Sequence, residues 1–146
     1  MSEPTSARGA RGIVLAHGSL AEGFVDAVRQ IAGAEADNLT AVSNRGMSPD
    51  TLAAELRKHI STTTPTVLFT DLPSGSCGFA ARRLCPENPN LAVISAINLP
   101  LLLEFIMHRT EPLDQLVPTL LAKGRGSVCC APATLESHGH RAVSGG

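Results

Sequence analysis

The chain has 146 residues, 43% of them hydrophobic, and a formal net charge of -1. That length suits one domain with its own core. The balanced charge and the 3% aromatic content exclude a general nucleic-acid binder with a base-stacking surface.

Residues 1–10 are small and polar and lack the apolar stretch of a secretory signal, so they are expected to be a disordered lead-in. Arg11 to Ala16 is a short apolar run ending at His17-Gly18, which predicts a buried strand. Ser19-x-x-Glu22 has the form of a capping box. Behind it, Leu20, Phe24, Val28 and Ile31 fall on one helical stripe, with Gly33 as the stop. Leu39 to Val42 predicts a second strand, and Ser43 to Gly46 a loop near the functional edge. Ser48-Pro49-Asp50 caps a helix lined by Leu52, Leu56 and Ile60. Pro65 to Thr70 reads as a third strand ending at Asp71, and Leu72 to Gly75 as a loop. Ser76 is expected to cap a helix carrying Ala80, Ala81 and Leu84. Leu91 to Ser95 is a fourth strand. Asn98-Leu99-Pro100 opens a helix that buries Leu102, Leu103, Ile106 and Met107 and closes near Arg109. Pro112 to Lys123 predicts another helix, kinked at Pro118. Gly126 to Ala131 predicts a last short strand, and residues 134–146 a disordered tail, so the domain spans 11–133. The longest apolar run, Leu99 to Met107, contains Pro100 and Glu104 and is too short to span a bilayer, so a cytoplasmic protein without direct membrane insertion is expected.

Strands alternating with helices predict an α/β fold: a doubly wound, mainly parallel sheet with helices on both faces. Ligands bind such sheets at the carboxyl ends of the strands, where the strand order switches direction. With the order 2-1-3-4, the first and third strands are neighbours, and His17 and Asp71 meet at that crevice. A neutral imidazole beside a helix N-terminus is suited to phosphoryl handling or acid–base work.

Three patches converge on this edge: "AHGSLAEG" around His17, "TDLPSGSCGFAA" after the third strand and "ISAINLPLLLE" after the fourth. Together they resemble the enzyme IIA component of the mannose family of the bacterial phosphotransferase system, from about Arg11 to Ala131. The resemblance implies a homodimer in which the final strand, 126–131, is exchanged between subunits. It implies a phosphotransferase activity in sugar uptake. A histidine-containing phosphocarrier protein would donate a phosphoryl group to His17, and a IIB component would receive it. Asp71 would accept the Nδ1–H of His17 and leave Nε2 free to attack. Ser76, Gly18 and Ser19 would hold phosphate oxygens, with Asn98 and Gly75 in support, and no cofactor or metal is implied. The third-strand loop departs from the family: Ser74 stands for a Gly of Gly-Gly-Ser-Pro, Cys77 for the Pro, and Gly78-Phe79 for a hydrophobic-Asn pair. These changes bear on partner docking and onward transfer. They leave open a regulatory phosphoprotein without onward transfer, and the phosphoryl-donor subunit of a dihydroxyacetone kinase, which also carries a histidine after its first strand.

The cysteines, Cys77, Cys85, Cys129 and Cys130, show no zinc spacing and are expected to be reduced thiols. The pair Cys129-Cys130 with His138 and His140 lacks an evident supporting shell for a metal. Cys77 falls in a first helical turn, where a thiol pKa can drop. His59 and His108, beside Lys58 and Arg109, are expected to be solvated.

Overall fold

The computed structural model describes residues 9–136. Four parallel strands, β1 (Arg11–Ala16), β2 (Leu39–Ser43), β3 (Thr66–Thr70) and β4 (Leu91–Ser95), form one sheet in the order β2-β1-β3-β4. Five helices connect and follow them: α1 (Leu20–Ala32), α2 (Pro49–Arg57), α3 (Gly75–Arg83), α4 (Leu99–His108) and α5 (Leu113–Ser127). Two 3₁₀ turns, Gly33–Asn38 and Cys85–Glu87, precede β2 and β4. The expected doubly wound α/β sheet and its strand order are therefore present.

The central strands are apolar because both of their faces are covered. Side chains alternate across a strand, so β1 divides its residues between two cores. Val14 and Ala16 join Val67 and Phe69 under α1, α4 and α5. Ile13 and Leu15 join Leu68 under α2 and α3. Phe105 of α4 meets Phe69 edge to face, with ring centroids 5.2 Å apart. Gly12 makes that contact possible, since a Cβ there would lie 2.5 Å from Leu39 Cδ2 and 3.0 Å from the Phe105 ring.

Several local expectations are corrected. In α1 the buried residues are Ala21 and Val28, with Phe24 and Val25 partly buried, whereas Leu20 and Ile31 are exposed. Small alanines let the helix lie close to the sheet, and a large-residue stripe misses them. Ser19 makes no side-chain cap bond, so the capping box does not form. Ile60 lies beyond the end of α2 but still packs on the second core. The N-cap of α3 is Ser74, not Ser76. Met107 is exposed on α4. Helix α5 continues to Ser127, and Val128 to Cys130 have no strand partner among the described residues, so the expected strand at 126–131 is absent from the single chain. Gly124 supports that continuation by letting α5 close on Leu101 of α4.

Gly9 and Ala10 belong to the fold: Ala10 is buried and its N–H donates to the Arg109 carbonyl at 2.7 Å. Residues 133–136 form a helical turn. The rest of the expected flanking segments, 1–8 and 137–146 with His138 and His140, lies outside the described residues. His59 and His108 are half-exposed and each faces carboxylate: Glu55 for the first, Glu104 and Glu111 for the second. No helix among the described residues is long and apolar enough to cross a membrane.

Candidate functional site

Strand β1 connects through α1 to β2 on one side, and β2 connects through α2 to β3 on the other. The switch point therefore lies between the carboxyl ends of β1 and β3. Their register puts Leu15 beside Thr70, so the next turns carry His17 and Asp71 to the same rim. One carboxylate oxygen, Asp71 Oδ2, accepts the main-chain N–H of His17 at 3.0 Å and lies 2.9 Å from His17 Nδ1. Its other oxygen accepts the Leu72 N–H at 3.0 Å. Burial alone would raise the Asp71 carboxyl. The bonds and charge of His17 outweigh burial and hold it below its ordinary value. An ionised Asp71 accepts only, so Nδ1 is the donor, and in the neutral form of the ring the lone pair lies on Nε2.

The free nitrogen faces the start of α3. A Cβ at Gly75 would sit 3.9 Å from both Nε2 and Cε1 of His17, and Gly75 has φ +85, where a side chain would be strained. Gly75 thus keeps the approach to Nε2 open while delivering a helix N-terminus to it. Ser74 makes no side-chain cap bond, so the first N–H groups of α3 have no competing side-chain acceptor there. Ser76 lies half-buried in this first turn.

The Gly18 turn is held from the other side. Ser43 Oγ donates to the Gly18 carbonyl at 2.8 Å, and the Gly18 N–H donates to Asn44 Oδ1 at 3.3 Å. The Gly18 amide, expected to bind phosphate, is thereby already engaged. Ser19 is exposed on the rim. Arg45 brings a guanidinium to the same turn, its Nη2 3.5 Å from where a Gly18 Cβ would be. The loop 43–46 was expected near this edge, but its division into two turn-holding residues and one cation was not.

Three further features escaped the sequence. Thr70 is fully buried, with Oγ1 2.8 Å from Ser95 Oγ and 3.0 Å from the Leu72 carbonyl oxygen, and so fixes the turn that aims Asp71. Gly78 lets α3 rest on that turn, since a Cβ there would lie 2.5 Å from the Pro73 carbonyl oxygen. Cys77 is fully buried, its Sγ 3.8 Å from His17 Nδ1. Burial first, then the nearby Asp71 charge, pushes its thiol up, which corrects the expectation of a lowered pKa. Here desolvation exceeds the effect of the helix start.

Asn98 spends its side chain on the helix pair α4 and α5. Its side chain accepts the Leu101 N–H at 3.1 Å, capping α4, and donates to the Gly124 carbonyl at 2.9 Å, tying α4 to α5. It also borders a groove with Ser95, Ala96, Gly124, Arg125 and Val128 beside β4.

Comparison with known proteins agrees with the fold. Residues 12–118 match the family model for the "PTS system fructose IIA component". The chain is 35% identical over 132 residues to the sorbose-specific EIIA component of the phosphotransferase system of Klebsiella pneumoniae, covering 85% of this chain and 95% of that protein. Among solved structures, the mannose/sorbose-specific IIA subunit of Enterococcus faecalis superimposes with a TM-score of 0.71 at 26% identity, over 84% of this chain and 94% of that one. The EIIA component from Streptococcus agalactiae gives a TM-score of 0.77 over 83% of this chain and 96% of that one; at 24% identity it speaks to the fold alone.

Proposed function

This chain belongs to the mannose family of phosphotransferase-system IIA components, and on that premise we propose that His17 is its phosphoryl carrier. In this reading a histidine-containing phosphocarrier protein in the cytoplasm donates the group, and a IIB component of a sugar-uptake system receives it. The observation that carries the reading is the double grip of Asp71 on the His17 main chain and Nδ1, which leaves Nε2 facing Gly75.

The chemistry follows from that arrangement. The Nε2 lone pair attacks phosphorus in line, and the bond from phosphorus to the donor's nitrogen breaks, its electron pair returning to the donor. The proton stays on Nδ1, so the phosphorylated ring is cationic and its charge is met by Asp71. The amides of the α3 first turn, Ser76 and the Arg45 guanidinium meet the charge spread over the phosphoryl oxygens. Transfer to a IIB partner reverses the same steps.

A homodimer is part of the proposal. The outer edge of β4 has no strand partner among the described residues, and the groove beside it borders Val128, where the chain turns extended. A second copy's segment from Val128 to Cys130, which follows the end of α5, would pair with that edge. The changed loop favours a second reading, a regulatory phosphoprotein without onward transfer. Phe79, more than half exposed on α3, and Cys77 replace family residues on that loop and helix.

Labelling tests the core of the proposal. Purified phosphocarrier protein bearing radioactive phosphate should label the wild-type chain and not His17→Ala. Equal labelling of both, or of neither, would refute it. A IIB protein then separates the two readings, since only the relay loses its label to that partner.

A further inference from the structure

Three side chains of different ligand chemistry meet at the His17 ring. Nδ1 lies 2.9 Å from Asp71 Oδ2 and 3.8 Å from Cys77 Sγ. The nitrogen, carboxylate oxygen and sulfur ligand atoms of the three residues all lie within 4.8 Å of one another. Tetrahedral zinc takes nitrogen and oxygen at about 2.0–2.2 Å and sulfur at about 2.3 Å, which sets neighbouring ligand atoms about 3.3–3.6 Å apart. The two distances to Nδ1 fall on either side of that range, and the carboxylate–thiol pair, within 4.8 Å, closes by up to about 1.2 Å when the ion is admitted. The residues come from the ends of β1 and β3 and the first turn of α3, 54 and 60 positions apart, a spacing no metal motif would reveal. The side chain of His17 is 43% exposed and that of Asp71 10%, whereas Cys77 is fully buried, so an ion enters from the imidazole side and the shift that gathers the three ligands opens the thiol to it.

We propose that His17, Asp71 and Cys77 form a site for a thiophilic divalent cation, zinc by ligand type, and that metal and phosphoryl group exclude each other on one imidazole. The site itself stands on geometry; its consequence rests on the phosphohistidine reading above. A metal on Nδ1 uses that nitrogen's lone pair, so the ring proton moves to Nε2, which then has nothing to offer phosphorus. The Cys77 thiol proton leaves to solvent as the metal binds. Conversely, a phosphoryl group on Nε2 keeps the proton on Nδ1, against Asp71, and closes the site to metal. The two ligands are coupled reciprocally, each weakening the other. A serine or alanine at position 77 would remove the sulfur and free the relay from this control.

Cobalt(II) reports the site without any phosphoryl transfer, through its thiolate-to-metal charge-transfer band. The full chain with Cys85, Cys129 and Cys130 each changed to Ser removes the exposed thiols that would confuse the signal. This protein should show a tetrahedral cobalt–thiolate spectrum that zinc displaces. Adding Cys77→Ala, or His17→Ala, should abolish it, with circular dichroism confirming that each variant is folded. Zinc should then suppress labelling from purified phosphorylated carrier protein about tenfold or more, against less than about twofold in Cys77→Ala. Absence of the band, or its persistence without Cys77, overturns the proposal. A band in a protein that never takes label refutes the relay and leaves the metal site. Labelling without a band does the reverse.

Discussion

Replacing Asp71 by Asn changes one atom and tests the whole arrangement. The carboxylate accepts three N–H groups, two from His17 and one from Leu72, at 2.9–3.0 Å. An amide offers one acceptor oxygen and two N–H donors. If the oxygen faces His17, the amide nitrogen confronts the Leu72 N–H and that bond is lost. The Nδ1 bond of the unphosphorylated ring also becomes neutral, and that of the phosphorylated ring changes from an ion pair to a bond between a cation and a dipole. Both states weaken in this bond, but the phosphorylated, cationic ring also gives up its pairing with an anion, a difference of about 1–1.5 kcal/mol between the two states at this half-exposed position. That is about a tenfold fall in the equilibrium share of phosphorylated His17. If the amide flips, its nitrogen faces Nδ1, the ring proton moves to Nε2, and the loss reaches about a hundredfold or more. Labelling extent against a fixed ratio of phosphorylated to free carrier protein measures it. Extent and rate within about twofold of wild type, in a folded variant, would refute the reasoning.

Other outcomes follow from the same coordinates. Because Asp71 sits below its ordinary carboxylate value, its contribution to stability is fully present above the unfolded pKa of about 3.9 and is lost as pH falls through the folded value. Urea melts of wild type should weaken over that acid range more than those of Asp71→Asn, and identical pH profiles would contradict the shift. Arg45→Ala should slow labelling about two- to fivefold, more at low salt, as expected for one exposed charge; a salt-independent effect would argue against an electrostatic role. Gly78→Ala drives a Cβ into the Pro73 carbonyl, and the cost of about 1–3 kcal/mol exceeds the gain of about 1 kcal/mol or less in helix propensity. Denaturation should report a net loss, together with slower labelling as the Asp71 turn shifts. Asn98→Ala removes a cap and leaves the Gly124 carbonyl short of a donor, for about 1–3 kcal/mol. Its melting temperature should fall while labelling below that temperature is unchanged; lost labelling in the folded protein would place Asn98 at the phosphate after all.

The parts of the fold that depend on burial alone were legible in the residues. Strands β1 and β4 are apolar runs bounded by turn residues, and their observed limits coincide with those runs. The site pair was legible for a topological reason: once the sheet is parallel and ordered 2-1-3-4, residues following β1 and β3 have to meet. What stayed hidden depends on tertiary distance. The face of α1 is set by Ala21 lying flat on the sheet, a contact that a search for large residues cannot see. The apolar run at Val128 to Ala131 reads as a strand, but a strand needs a neighbour, and within one chain this segment has none among the described residues. Cys77 reads as a helix-start thiol, yet the approach of α3 to the Leu72–Pro73 backbone through Gly78 seals it under the His17 ring and reverses its titration.

The same approach explains why one oxygen suffices to decide which nitrogen of the His17 ring is left open. A histidine ring can turn over about its χ2 axis and exchange its two edges. Here Asp71 Oδ2 is anchored to the His17 main-chain N–H, which does not move when the ring turns. A flipped ring would present a carbon to that oxygen and forfeit the Nδ1 bond. At about 1.5–3 kcal/mol, that loss keeps the flipped population below about one in ten. Gly75, placed by α3 opposite Nε2, then meets the same nitrogen in nearly every molecule. Selectivity between the two ring nitrogens therefore needs no group touching Nε2 itself. It follows from the main-chain anchor on one side and from a residue without a side chain on the other, and this leaves the face of Nε2 free for the phosphoryl donor that the proposed relay requires.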